Sequence, residues 1–270
     1  MAEDLTPADA VLPAAPAPAP TASLATSPHK PRFLFIYGLL GGVFAVAVVL
    51  VVLYAGRAIT PAAKWSSWHP SGGGLGAEKQ IADSVGKAYR LPNGDQLVDV
   101  IAQAPSVTPS TGQTIPLHYL AVQGPKGAGN RDYAISPSNS VTYQLCGLGQ
   151  ACNIASGTPS QARGRLVRRE ALELALYTFK YVGGIDHVIA FMPPASATKQ
   201  YVVYLQKSDV ASELKQPLDD TLAKKVPLPS TIPAREVHIV DGLTEPRTYS
   251  FGVAQAPTGD VVLVLKPLPA

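Results

Sequence analysis

The longest run of apolar positions in the chain extends from Phe33 to Ala55. Its 23 residues, FLFIYGLLGGVFAVAVVLVVLYA, include no charged residue and no Asn, Gln or Pro. A helix of this length extends about 34 Å, and the hydrocarbon core of a bilayer is about 30 Å thick. A helix in a globular core is not apolar on every side over such a length. The pattern therefore predicts a single transmembrane helix over residues 33–55. A cleaved signal peptide is the alternative, but its apolar core and its lead are usually shorter than those found here.

After residue 75 the apolar positions recur in shorter patterns. Helical spacing predicts three helices, over residues 77–90, 160–182 and 209–225, the last one bent at Pro217. Runs rich in Val, Ile, Leu and Tyr predict strands over residues 96–102, 115–123, 141–146, 187–192, 200–206, 249–255 and 261–266. Because strands mostly follow strands and helices are inserted singly, we expect residues 76–270 to form an α+β domain. It should have a mostly antiparallel sheet and about three packed helices.

Two segments of different composition flank the predicted transmembrane helix. Residues 1–32 contain nine Ala and seven Pro, so they have little to bury, and we expect a disordered tail. Residues 56–75 are predicted to be a juxtamembrane linker that contains Trp65 and Trp68, the two tryptophans of the chain. Their rings either lie at the level of the lipid headgroups or pack against the folded domain.

The two cysteines, Cys146 and Cys152, lie six positions apart in CGLGQAC. The spacing suits a structural disulfide, since the two glycines of the loop permit a tight turn. Two reduced thiols are the alternative. A redox-active pair is usually separated by two residues, and no histidine lies near enough in the sequence to complete a metal site. We expect a disulfide here.

The orientation in the membrane depends on weaker signals. Lys30 and Arg32 precede the span and Arg57 and Lys64 follow it, so the count of positive charges is equal on the two sides. The first pair lies directly against the apolar segment, and a disulfide requires an oxidising compartment. We therefore expect a protein of the plasma membrane with its N-terminus in the cytoplasm and its C-terminal domain outside.

Two groups of residues are candidates for contacts with partners. Arg163, Arg165, Arg168 and Arg169 crowd the start of the helix predicted over residues 160–182, where positive charge opposes the helix dipole. Either acidic residues elsewhere in the fold pair with them, or they face an anion or an acidic partner. In the predicted span, Gly38 and Gly42 form a GxxxG step, which favours self-association of the helix.

Composition and motifs exclude several classes of function. A net charge of +3 does not indicate a nucleic-acid-binding protein, and two cysteines cannot form a four-Cys zinc site. The sequence contains no HExxH and no GxSxG motif, so it predicts no metal, no cofactor and no recognisable catalytic set. Asp186, His187 and His238 remain the candidates for a hydrolase without a known motif.

Three features of the chain carry a resemblance: the block RGRLVRREALELALYTFKYV over residues 163–182, the Ala/Pro-rich tail and the apolar segment. Together they resemble uncharacterised single-pass membrane proteins of high-GC Gram-positive bacteria. The resemblance implies a bacterial cell envelope and carries no activity. We therefore expect a membrane-anchored, non-enzymatic binding or scaffolding protein, whose partners are the lipid bilayer and other envelope proteins or itself. The alternatives are a tethered hydrolase and a ligand-binding accessory subunit that uses the Arg-rich helix.

Overall fold

The computed structural model describes residues 30–55, 64–107, 114–124, 133–135, 137–194 and 200–268. The chain divides into two units, residues 1–61 and residues 62–270, and each is described by itself.

The first unit contains one helix, α1 (Lys30–Ala55), of 26 residues. Its side chains are described over residues 36–50, and all of these are exposed, among them the large apolar ones of Ile36, Leu40 and Phe44. Within the described part of the chain, none of the helices combines the length and the apolarity that a bilayer span requires.

The second unit is a sheet with helices packed on it. Its α-helices are α2 (Gly74–Ala88), α3 (Gln161–Tyr181), α4 (Leu218–Thr221) and α5 (Ala234–Thr244). Its strands are β1 (Asp99–Gln103), β2 (Ser106–Val107), β3 (Ile115–Pro116), β4 (Tyr119–Val122), β5 (Tyr133–Ile135), β6 (Ser140–Cys146), β7 (His187–Phe191), β8 (Tyr201–Gln206), β9 (Thr248–Gln255) and β10 (Val261–Pro267). The predicted α+β class is confirmed.

Eight of these strands form one mixed sheet in the order β1-β6-β7-β8-β9-β10-β4-β5, and β2 pairs with β3 separately. Neighbours β6 and β7 are parallel, as are β10 and β4, and the other five pairs of the large sheet are antiparallel. Strands β6 and β7 follow each other in the chain and are parallel, so the chain must cross over between them. Helix α3 lies in that connection. Helix α3 therefore lies across the sheet and is the central helix of the domain.

Each face of the sheet has its own core, because side chains alternate along a strand. In β7, Val188 and Ala190 face the helices and belong to the larger core with α2 and α3. Ile189 and Phe191 face the other way and pack with residues of β4 and β10, such as Leu120 and Leu263. A residue's place in a strand thus decides which side of the sheet it can reach.

The linker tryptophans pack against the folded domain, which is one of the two alternatives left open by the sequence. Trp65 is 9% exposed, and its ring meets those of Tyr177 and Tyr181 edge-on with centroids 5.4 and 5.6 Å apart. Its indole N–H donates to the carbonyl of Glu213 over 3.2 Å. The ring of Trp68 lies 5.4 Å from that of Tyr177. The folded unit therefore includes residues that were predicted to be linker.

One predicted helix is wrong. Residues 209–225 do not form a single bent helix: a 3-10 turn covers Lys207–Val210, and α4 covers only Leu218–Thr221. Pro217 lies directly before α4 and has no N–H to continue a preceding helix. Helix α5 and the short strands β2 and β5 were not predicted. The predicted tail over residues 1–32 and the first part of the predicted linker lie mostly outside the described residues.

A candidate ligand pocket at the start of helix α3

Helix α3 begins at Gln161, one residue after the predicted start at 160. The hydroxyl of Ser160 accepts a hydrogen bond from the backbone N–H of Arg163 over 3.2 Å, so Ser160 is the N-cap. The helix then runs across the sheet for 21 residues. Its first turns carry all four arginines of the predicted cluster.

Two of these arginines bind acids at the C-terminal end of α5, Asp241 within it and Glu245 directly after it. Arg165 binds the Asp241 carboxylate with an N–O distance of 2.7 Å, and Arg168 reaches the same carboxylate over 2.6 Å. Arg168 also reaches Glu245 over 2.9 Å. The hydrogen bond from Arg165, together with Arg168, lowers the pKa of Asp241. These two guanidinium groups thus have acidic partners within the fold, the first of the two alternatives for the cluster.

Arg169 is fully buried and belongs to a network beneath the surface. Its guanidinium binds Glu236 of α5, the hydroxyl of Tyr89 and, over 3.0 Å, the carboxylate of Glu173. It also donates to the carbonyl of Ala223 over 2.8 Å. With no exposed surface, Arg169 contributes to the packing of α2, α3 and α5 and cannot reach a partner.

Arg163 differs from the other three. The residue is 9% exposed, and its Nη1 donates over 2.7 Å to the carbonyl oxygen of Ser156. Among the described residues, no carboxylate lies within ion-pair distance of it, whereas each of the other three has at least one. A nearly buried guanidinium without a counter-ion is costly, so this group calls for an explanation.

Arg163 lines a cavity of about 450 Å³. The cavity lies between the first turns of α3, the end of β7 and the starts of β8 and β9. Its lining residues are Asn153, Ile154, Gly157, Pro159, Ser160, Arg163, Gly164, Val167, Arg168, Met192, Pro193, Pro194, Tyr201 and Thr248. Within this described lining there are two arginines and no Asp or Glu. The volume is within the range that small-molecule sites usually have.

A disulfide loop directly precedes part of the cavity wall in the chain. Cys146 and Cys152 are bonded, as the sequence predicts, and Asn153 and Ile154 of the cavity follow immediately. The loop is tightly closed: an added Cβ at Gly147 would lie 2.2 Å from the backbone oxygen of Asn153, so no larger residue fits there. Ala151 and Cys152 have φ values of 52° and 62°, in the left-handed region that L-residues rarely occupy. The cross-link therefore holds a strained segment next to the cavity.

The candidate hydrolase residues do not come together. His187 lies on the sheet face opposite the helices, where its Nδ1 is 2.9 Å from the hydroxyl of Tyr204. Burial lowers the pKa of His187. His238 lies exposed on α5, which packs on α3 on the other side of the sheet. The carboxylate of Asp186 accepts a hydrogen bond from Asn139 over 3.0 Å.

The remaining candidates are less informative. Gly38 and Gly42 lie on α1, and an added Cβ at either meets no atom within 4 Å, so their role in self-association stays a prediction. Over the described residues, no group of His, Cys, Asp and Glu could hold a metal ion.

The sequence pattern did not predict the cavity, because Met192, Tyr201 and Thr248 are far from α3 in the chain. The one available signal was the excess of arginine at the start of a helix. Comparison with protein-family models, with curated proteins and with solved structures found no match.

Proposed function

We propose that this protein is a membrane-anchored, non-enzymatic binding protein of the cell envelope, which holds a ligand in the cavity at the start of α3. The observation that carries the proposal is the nearly buried Arg163, which lines a cavity whose described lining contains no acid. A ligand would supply the missing counter-charge and fill the space.

The anchor in this proposal is residues 33–55, and it rests on their sequence, since no helix among the described residues meets the length and apolarity of a span. Their sequence is uncharged throughout, and α1 extends over all of them. The described side chains of α1 leave a long apolar surface exposed, and a contiguous surface of that kind requires a cover. A bilayer is the cover that suits a helix apolar on every side.

The domain lies outside the cytoplasm in this proposal. The bond between Cys146 and Cys152 supports that side of the membrane, because disulfides persist in oxidising compartments. Lys30 and Arg32, next to the apolar segment, agree with a cytoplasmic N-terminus.

Topology is tested on intact cells. After mild reduction, a membrane-impermeant maleimide should label Cys146 and Cys152, and the protein should sediment with membranes after alkaline washing. The double variant Cys146→Ser/Cys152→Ser is the control that shows background labelling. Labelling that occurs only after lysis would place the domain in the cytoplasm and contradict the proposal.

The binding function is tested with a variant that fills the cavity. Gly164 lines it, and an added Cβ there meets nothing closer than the Arg168 guanidinium at 4.0 Å. Gly164→Leu should therefore fold and occlude the space, while Gly164→Ala is the matched control that leaves it open. Both replacements also favour the helix, by up to about 1 kcal/mol for alanine.

Wild type and both variants are purified as full chains in mild detergent, and the small molecules released on denaturation are identified by mass spectrometry. We expect a compound that accompanies wild type and Gly164→Ala and is missing from Gly164→Leu. If all three chains release the same compounds, the cavity is not a binding site and the proposed function is wrong.

A further inference from the structure

The cavity contains one positive charge that no acid among the described residues balances. Arg168 shares its guanidinium with Asp241 and Glu245, so its charge is compensated. Arg163 has only the Ser156 carbonyl among its described partners, and a neutral oxygen does not cancel a charge. Because the residue is nearly buried, water has little access to its side chain.

The rest of the described lining is mostly apolar. Ile154, Val167, Met192, Pro193 and Pro194 surround the space with aliphatic and thioether surface. Such walls favour a hydrocarbon body, and a methionine adapts to its shape. The cavity thus combines one cationic point with an apolar enclosure.

On these grounds we infer that the ligand is a small organic acid, with a single carboxylate bound by Arg163 and an apolar body enclosed by the walls. This inference rests on the proposed binding function and specifies its ligand class. A carboxylate matches the planar guanidinium fork and carries the one negative charge that is missing. A phosphate monoester carries close to two negative charges at neutral pH, more than Arg163 alone would balance.

A matched pair of probes tests the inference. 4-(4-Fluorophenyl)butanoate carries the acid, and 4-(4-fluorophenyl)butanamide has the same body with a neutral head. Binding of each to the full chain in detergent is followed by ¹⁹F NMR, with empty micelles as the blank. We expect wild type to bind the acid at least tenfold more tightly than the amide.

Variants identify the group that makes the distinction. Arg163→Gln removes the charge and should reduce the preference for the acid to about twofold or less, while binding of the amide changes little. Arg163→Lys keeps a charge and should retain part of the preference. Arg90→Gln, a matched change at an exposed arginine outside the described lining, should leave the preference intact. Gly164→Leu should abolish binding of both probes.

Each outcome decides a different point. Equal binding of acid and amide to wild type would overturn the inference and leave the proposed binding function standing, as would release of a neutral or cationic natural ligand. Failure of the acid to bind wild type above the micelle blank would also overturn the ligand class. A preference for the acid that survives in Arg163→Gln would overturn the role of Arg163.

Discussion

At the scale of single residues, the domain contains a carboxyl group whose burial the packing does not compensate. Glu170 of α3 has no exposed surface, and neither of its oxygen atoms has a hydrogen-bond partner among the described residues. Burial, and then the neighbouring Glu173, raise the pKa of Glu170 well above its ordinary value, while Arg169 opposes the shift. The side chain is therefore protonated in the folded protein over a wider pH range than in the unfolded chain.

The sign of the pH effect follows from that difference. Below the ordinary pKa of about 4.5, Glu170 is protonated in both states and has no pH-dependent effect on the free energy of unfolding. As the pH rises from there through the folded-state pKa, the unfolded chain has released a proton that the folded chain still holds. The free energy of unfolding then falls with pH. Glu170 thus makes the domain less stable at neutral pH than at pH 4 to 5.

Glu170→Gln has no proton to release, so we expect it to be more stable than wild type at pH 7. The gain should be about 1.4 kcal/mol for each pH unit by which burial raises the pKa of Glu170 in the folded protein. Near pH 4 the two proteins should have nearly equal stability. Chemical denaturation of both chains between pH 4 and pH 8 measures the difference, with Glu213→Gln, a half-exposed glutamate, as control. If the free energies of unfolding of wild type and Glu170→Gln change with pH in parallel, Glu170 has the same pKa in the folded and unfolded states and the prediction is wrong.

At the scale of elements, the sequence predicted best where a long periodic pattern coincided with local signals. Helix α3 has both an apolar stripe and the Ser160 cap, and its predicted bounds of 160–182 differ from Gln161–Tyr181 by one residue at each end. The strands β9 and β10 pair as a hairpin around a Gly-containing turn, and their predicted bounds of 249–255 and 261–266 differ from the observed ones by one residue at one end of each.

The unpredicted elements depend on contacts that are distant in the chain. Helix α5 has only 11 residues and includes Gly242, which weakens its intrinsic helix propensity. It is held by the ion pairs of Asp241 and Glu236 with α3, which no local pattern reveals. For the same reason the sequence indicated the arginine cluster, but it did not indicate which of the four arginines would have no acidic side chain within ion-pair distance among the described residues. That distinction depends on where α5 packs.

The disulfide loop is the element with the most direct connection to the cavity. Removing the cross-link with Cys146→Ser/Cys152→Ser should lower the free energy of unfolding by roughly 2–2.5 kcal/mol, from the chain-entropy relation for a seven-residue loop. Ala151 and Cys152 have φ values in the left-handed region, and without the cross-link we expect them to leave it and to displace the neighbouring Asn153 and Ile154.

We therefore expect the double variant to bind 4-(4-fluorophenyl)butanoate more weakly than wild type at a temperature where both are folded. Calorimetry gives the stability, and ¹⁹F NMR gives the binding. Gly242→Ala, a change far from the loop in sequence, is a control that alters stability without a change in the cavity lining. Unchanged affinity in the double variant would show that the loop holds its shape without the disulfide.

At the scale of the whole molecule, the folded domain begins earlier than composition suggests. The change from the linker to an ordinary globular composition at residue 76 led to a predicted boundary there. The larger core, however, includes Trp65 and the partly buried Trp68. The backbone carbonyl of Trp65 also accepts a hydrogen bond from the N–H of Leu218 over 2.7 Å. Aromatic contacts of this kind join distant segments, so a change in composition along the chain does not reveal them.

Two truncated chains separate these boundaries. Both cores consist of residues from Trp65 onward, so a chain that starts at residue 64 should fold without α1 and have cooperative thermal unfolding. A chain that starts at residue 76 lacks both tryptophans and leaves Tyr177 and Tyr181 without their covering rings. Loss of a buried tryptophan usually costs about 3–5 kcal/mol. We expect the second chain to unfold at a markedly lower temperature, and Trp65→Ala in the first chain to reproduce most of that loss. Equal unfolding temperatures for the two truncated chains would mean that the tryptophans only rest on the domain surface.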